Sequence, residues 1–185
     1  HEVSQLGRPE GRGQLEACLD RYHYLGYRSR VGQNLQYWVC DRRDRPLSCV
    51  VFGAAAWQCA ARDQWIGWSA GQRTQQLGKL VNNTRFLVFS WVRVPHLASH
   101  ILSLVSRRIS RDWEAKYRQP IWLLETFVDR QRFAATCYRA ANWIPLGQTK
   151  GRGRQGSSSQ VLSTTIKDVY VRPLHRNFRR HLTAA

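Results

Sequence analysis

Apolar positions fall in blocks along the chain, and the spacing within each block changes. Leu15, Cys18, Leu19 and Tyr22 recur at helical spacing up to Gly26. From Asn34 to Asp41 the period drops to two, with Leu35, Tyr37 and Val39 on one face. A polar turn at 42–46 and a second apolar run, Leu47 to Gly53, complete a predicted hairpin. Between Trp57 and Asn83 no clear period holds, and a short helix from Ser69 to Val81 is expected there. Arg85 to Val92 reads as a strand. Pro95 sits where a helix would start. Leu97, Ile101, Leu104, Val105 and Ile109 make that helix amphipathic as far as about Trp113. Ile121 to Val128 is a buried strand. Asp129 is placed to cap a helix over 130–142 that carries Phe133, Cys137 and Ala141 on its apolar side. Trp143 to Leu146 and Val161 to Val171 are further strands, separated by a basic Gly/Ser-rich loop at 150–160. Residues 1–13 read as a flexible lead-in, and 14–185 as a single domain. The order implies an α/β fold, a mixed central sheet with covering helices.

Charge narrows the function. Lys plus Arg number 29 against 12 Asp plus Glu, a formal net charge of +17, and only four of those cations are Lys. Such an excess costs self-repulsion in the compact state, and a polyanionic partner explains it. Arg pairs phosphate and guanine edges bidentately and stacks on bases. The expected partner is therefore nucleic acid, DNA in the first place. Five Cys with no Cys-x-x-Cys spacing make neither a disulfide framework nor a zinc knuckle, which points to reduced thiols in the cytoplasm. No apolar run is long enough to span a bilayer, so no membrane partner is expected. The chain has no Met, even at its first position, and reads as trimmed or as a piece of something longer.

Glu125 interrupts an apolar strand. Its carboxylate either faces a cleft, where a raised pKa would suit a general base, or is paired with one of the many Arg side chains. Tyr138 sits on a helix that should pack on the sheet, as core or as a general acid. Asp63 lies in an irregular stretch with Arg62, Trp65 and Trp68. There the two indoles could sandwich a flipped base with Asp63 reading its edge, or the segment is a surface turn. Lys150, Arg152 and Arg154 join glycine flexibility to positive charge, as phosphate contacts need. Arg85 is a further candidate contact, and Asn142 is either a helix C-cap or a base-edge reader. His96 and His100 have metal-pair spacing but no third ligand nearby, and no carboxylate cluster of the Mg²⁺-binding kind occurs, so no metal site is assigned.

Several words of the sequence occur together in one known family. They are Tyr22-His23-Tyr24-Leu25-Gly26, Arg62-Asp63-x-Trp65-Ile66-Gly67-Trp68, Asn82-Asn83-x-Arg85-Phe86-Leu87 and Leu97-Ala98-Ser99. Glu125-Thr126-Phe127-Val128-Asp129, Tyr138-x-Ala140-Ala141-Asn142-Trp143 and Thr149-Lys150-Gly151-Arg152-Gly153-Arg154 follow. From about residue 15 to the C-terminal end the chain resembles the DruA family of the Druantia anti-phage system, whose domain also occurs with transposases. The resemblance implies a phage-defence or mobile-element setting, with a transposase or other defence subunits as possible partners, and no established activity.

The element order also resembles a GNAT-type acyltransferase. In that resemblance Arg85–Val92 and Ile121–Val128 are two parallel strands that splay apart, and Tyr138 and Trp143 occupy the places of a general acid and a closing aromatic residue. The resemblance implies an acyl-CoA donor, but the stretch where a glycine-rich pyrophosphate loop would stand, Val94 to His100, has no glycine. The donor is thus left open between acyl-CoA and another group donor. Two functions follow. One is a nucleobase-modifying group transferase with Glu125 or Asp63 as base and Tyr138 as acid. The other is a non-catalytic DNA-binding module that targets a transposase or a defence complex.

Overall fold

The computed structural model describes residues 2–5, 17, 18, 20, 21, 23, 32–149 and 165–184. Seven strands form one sheet in the order β1-β2-β3-β4-β5-β7-β6. They are β1 (Glu2–Gln5), β2 (Asn34–Cys40), β3 (Pro46–Ala54), β4 (Leu80–Val88), β5 (Leu123–Asp129), β6 (Ile144–Gln148) and β7 (Lys167–Pro173). The helices are α1 (Ala60–Ile66), α2 (Ala70–Gln76), α3 (Leu97–Tyr117), α4 (Thr136–Ala140) and α5 (Phe178–Leu182). Among the described residues, only β4 and β5 pair in parallel. This is the mixed, helix-covered α/β sheet expected from the sequence.

The period of two divides the apolar residues of the central strands between two faces. Val81, Leu124 and Tyr170 join a main core with Ile101, Leu102, Val105, Ile109 and Trp113 of α3. Their neighbours Leu80, Leu123 and Val171 point the other way, into a second core with Ile66, Trp68, Phe178 and Leu182. One face is thus covered by α3 and α4, and the other by a cap of α1, α2 and α5.

Several expected boundaries move. Residues 2–5, expected in a flexible lead-in, pair with β2 instead, because so short an edge strand carries no readable period. The 57–83 stretch holds two helices and a 3₁₀ turn at Leu77–Lys79, where one helix was expected. β4 begins five residues before Arg85 and ends at Val88, since Asn82 and Asn83 sit inside the ladder although their type suggests a break. α3 starts two residues after Pro95, behind His96 in the left-handed region (φ 57), and it buries Leu102 in preference to Leu104. The long helix expected over 130–142 shrinks to α4. Asp129 closes a turn instead, accepting the Gln131 N–H at its carboxylate and those of Arg132 and Phe133 at its carbonyl. The expected strand from Trp143 begins at Ile144, and the one expected over 161–171 is seen as β7, which ends at Pro173, while 161–164 lie outside the described residues. Residues 17, 18, 20 and 21 are helical, and the rest of the helix expected near them lies outside the described residues.

Candidate functional site

The sheet opens between β4 and β5. Their pairing runs from Leu80–Leu123 to Asn82–Glu125 and stops. On the other side of β4, Val51 pairs with Arg85 while Phe52 pairs with Asn83, so Thr84 is an extra residue in the ladder. Such a bulge bends its strand and strengthens the local twist, here at the point where β4 leaves β5. β5 meanwhile stays paired with β7 along its whole length. The gap therefore widens toward the carboxyl ends of the two strands.

A polar chain holds this junction. The Tyr138 hydroxyl donates to Asn83 Oδ1 at 2.6 Å, and Asn83 Nδ2 donates to the carbonyls of Val51 and Arg85. Thr126 Oγ1 donates to the Asn83 carbonyl across the gap at 3.0 Å. Tyr138 is buried against Phe86, Trp143 and Tyr170. Asn83 and Thr84 were not singled out as site residues, because a bulge leaves no mark on composition.

Glu125 lies at the same junction but faces the cap. It is fully buried, with Oε1 accepting the Ala56 N–H at 2.7 Å and Oε2 accepting Arg62 Nη1 at 2.6 Å. Arg62 is itself fully buried and also donates to the Ala56 carbonyl and to Asp63 Oδ1. Burial pushes the Glu125 carboxyl above its usual range, and Arg62 and the Ala56 amide counter this without reversing it. For Arg62, burial works against the charge, but Glu125 and Asp63 outweigh it and hold the guanidinium more firmly protonated. Asp63 has no oxygen to spare: Oδ1 takes Arg62 and Trp68 Nε1, and Oδ2 takes the Cys59 N–H and Arg73.

Two expectations about these residues need correction. A base, Glu125 or Asp63, was expected to share a site with Tyr138 as acid, yet period-two alternation places Glu125 and Tyr138 on opposite faces of the sheet. Glu125 follows Leu123 toward the cap, while Tyr138 packs with Tyr170 in the main core. Trp65 and Trp68 do not form a sandwich. Trp68 is buried and bonded to Asp63, whereas Trp65 stacks on Phe178 at 5.1 Å with Arg179 above it, because α1 turns the two indoles toward different neighbours. The segment is a helix followed by a left-handed Gly67, rather than an irregular turn.

Arg85 is half-buried beside the bulge, with Nη1 donating to the Thr84 carbonyl. Asn142 is exposed and left-handed (φ 59) just after α4, in keeping with the C-cap reading. Lys150, Arg152 and Arg154 lie outside the described residues. His96 precedes α3 and His100 lies in its first turn, so they do not stand as a pair on one helix face.

The carboxyl ends of β4 and β5 carry a cationic and aromatic surface. The β2–β3 turn presents Arg42 and Arg43, while Asp41 braces it by accepting the Arg43 and Arg45 N–H groups and the Arg45 guanidinium. The Arg45 bond and those amides keep the Asp41 carboxyl below its usual range. The loop after β4 is tied to the start of β3, next to this turn, by Phe89 N–H donating to the Leu47 carbonyl. It exposes Arg93 and stacks Trp91 on Phe89 at 4.7 Å. Past β5, Arg132 and Phe133 are also exposed. Arg42, Arg43, Trp91 and Arg93 were missed as site residues, since only the folded topology gathers them.

The amino end of α3 opens on this same side, yet every position from Phe89 to His96 carries a side chain. A glycine-lined cradle for a pyrophosphate is therefore not built here, and no step is assigned to CoA. Among the described residues no helix is long and apolar enough to cross a membrane, and no group of three His, Cys, Asp or Glu side chains could hold a metal ion.

Solved structures share this arrangement. A mutant spermidine N-acetyltransferase from Vibrio cholerae superimposes with a TM-score of 0.61 at 6% identity, covering 96% of this chain and 97% of that one. A crystal structure of spermidine N-acetyltransferase from Vibrio cholerae in complex with CoA and spermine gives 0.56 at 7% identity, covering 94% and 95%. The fold is thus that of the GNAT class. The sequence is more specific: the family model described as Druantia protein DruA matches residues 6–166, and the chain belongs to that family. No curated protein matches it.

Proposed function

We propose that this DruA-family protein is a nucleic-acid-acting group transferase of a phage-defence or mobile-element system, with its reaction centre at the gap between β4 and β5. The observation that carries the reading is the junction itself. The strands part at a bulge, and a buried Tyr138 hydroxyl is held at that point by Asn83. The net charge of +17 and the Arg-rich carboxyl-end surface favour a polyanionic acceptor.

In this reading an exocyclic amine of a DNA base attacks the carbonyl of an activated acyl-type donor. The new C–N bond forms as the donor's bond to its leaving group breaks. Tyr138 gives its proton to the leaving group and recovers one from solvent, which also takes the proton lost by the amine. In the structure that hydroxyl donates to Asn83 Oδ1, whose amide is fixed by two backbone carbonyls, so the incoming donor must displace this bond before the proton passes to the leaving group. The test is intact mass spectrometry of single- and double-stranded DNA incubated with the protein and a bacterial small-molecule extract. A discrete mass gain that Tyr138→Phe abolishes, with DNA affinity kept, is the expected result. An unchanged DNA mass with the native protein would overturn the transferase reading.

The second reading is a non-catalytic DNA-binding module that targets a transposase or a defence complex. It is favoured by the locked state of Glu125 and Asp63, which takes both proposed bases out of use. Salt-sensitive binding with no change in DNA mass is its signature.

A further inference from the structure

The opposite end of the sheet, at the amino ends of β4 and β5, carries a second cluster of rings and cations. Trp122, just before β5, stacks on His181 of α5 with centroids 3.7 Å apart and planes 4° from parallel. His175 meets both rings edge-on. The stack is anchored from below: Trp122 N–H donates to the Lys79 carbonyl, and Leu174 N–H to the Trp122 carbonyl. Gln72 fastens the far end of α5 by donating to the Thr183 carbonyl at 2.6 Å. Lys79 holds Trp122 by its carbonyl, and of two exposed arginines, Arg176 directly follows His175 and Arg180 directly precedes His181 in the chain. Among the described residues, no carboxylate pairs with any of these three cations. Elsewhere the chain spends its acids on its arginines: Asp41, Asp63, Asp112, Glu125, Asp129 and Asp168 each hold at least one. The Trp122 indole N–H is buried without a hydrogen-bond partner.

We infer that this cluster is a docking surface for an unpaired nucleic-acid strand, whose phosphates meet Lys79, Arg176 and Arg180 and whose bases extend the Trp122–His181 stack. Rings that already lie parallel, edged by unpaired cations, form the kind of platform that holds successive unpaired bases. A duplex does not suit it. Reading a major groove takes a helix or ribbon that enters it, and α5, at five residues, is only about 7.5 Å long. Its His175, Arg176, Arg180 and His181 lie beyond residue 166, where the family match ends, while Lys79 and Trp122 lie within it. The inference rests on the nucleic-acid part of the proposed function and is independent of group transfer.

The experiment compares binding of a labelled oligonucleotide of about 20 nucleotides, as single-stranded DNA, as single-stranded RNA and as duplex. The proteins are the full chain, Arg176→Glu/Arg180→Glu and Arg42→Glu/Arg43→Glu. All four substituted residues are exposed, so packing is left alone, and circular dichroism checks the fold. The expected result is a loss on the order of tenfold or more in single-strand affinity for Arg176→Glu/Arg180→Glu. A shallower salt slope accompanies it, by about 0.7 for each phosphate no longer neutralised, while duplex affinity changes far less. The two single-strand arms show whether DNA or RNA is preferred. Single-strand binding that survives Arg176→Glu/Arg180→Glu and falls with Arg42→Glu/Arg43→Glu overturns this inference and leaves the proposed function standing. Equal losses on single strand and duplex overturn the choice of an unpaired strand. Failure of the native chain to bind any of the three overturns both.

Discussion

The two faces of the sheet are held by different chemistry. Under α3 and α4 the contacts are mainly apolar and aromatic, from Leu35 on β2 to Tyr170 on β7. Under the cap the apolar cluster is smaller, and a fully buried ion pair, Arg62–Glu125, stands beside it. The main face also has a buried carboxylate, Asp112, bonded to Tyr37, but its Arg108 partner is 28% exposed and keeps part of its hydration. Arg62 has none. A buried pair adds little stability over apolar residues of the same size, yet it defines one arrangement. We read the cap as positioned by that pair and the main core as stabilised by area.

Removing one partner breaks this contrast most severely. Arg62→Met leaves the Glu125 carboxylate buried against a single amide, and the expected loss is about 3–5 kcal/mol. Adding Glu125→Leu in the same chain should restore most of it. The double-mutant cycle by urea unfolding measures the coupling. Glu125→Gln, which leaves the Arg62 guanidinium buried without that counter-charge, should also destabilise the fold.

Alkali provides a milder test that separates the faces. Val50 and Phe52 of β3 belong to the main core, so Cys49 and Val51 face the other way, against Trp38 and Leu87. Burial pushes the Cys49 thiol up from 9.0 to about 12. The native state thus keeps a proton that the unfolded chain loses. The contribution is intact below pH 9 and falls as the pH rises toward 12, by about 1.4 kcal/mol per pH unit. Cys49→Ala should remove that slope from unfolding free energies measured between pH 8 and 11. The slope that remains then reports other groups that burial pushes upward, among them the Cys59 and Cys137 thiols and the Tyr37 hydroxyl, the last also raised by Asp112.

The same contrast explains what could be read from the sequence. α3 was legible because its 21 residues repeat a helical stripe for many turns. Glu125 was legible as a misfit in an apolar strand, but its partner stands 63 positions away, and no spacing announces such a contact. α1 stayed hidden because its buried stripe is Arg62 and Ile66, half of it a residue that reads as solvent-facing. The helix over 130–142 was overextended for the opposite reason: Asp129 has a capping side chain, and here it caps a turn. The gap between β4 and β5 could be expected from a resemblance, whereas Thr84, which bends β4, could not be found from residue type alone.

The smallest effect sharpens the comparison furthest. Ser69 and Gln72 form a reciprocal capping box at the start of α2, with Ser69 Oγ accepting the Gln72 N–H and Gln72 Oε1 accepting the Ser69 N–H. Ser69→Ala should cost about 1 kcal/mol. Because Gln72 also bonds the Thr183 carbonyl, the loss should reach α5 as well as α2. Native-state hydrogen exchange resolves where it falls. If the cap is a separate cooperative unit placed by Arg62, amides of 70–76 and 178–184 exchange faster while those of α3 keep their native rates. An equal acceleration in α3 would mean that the two faces open together, and that the ion pair only joins what the apolar core already holds.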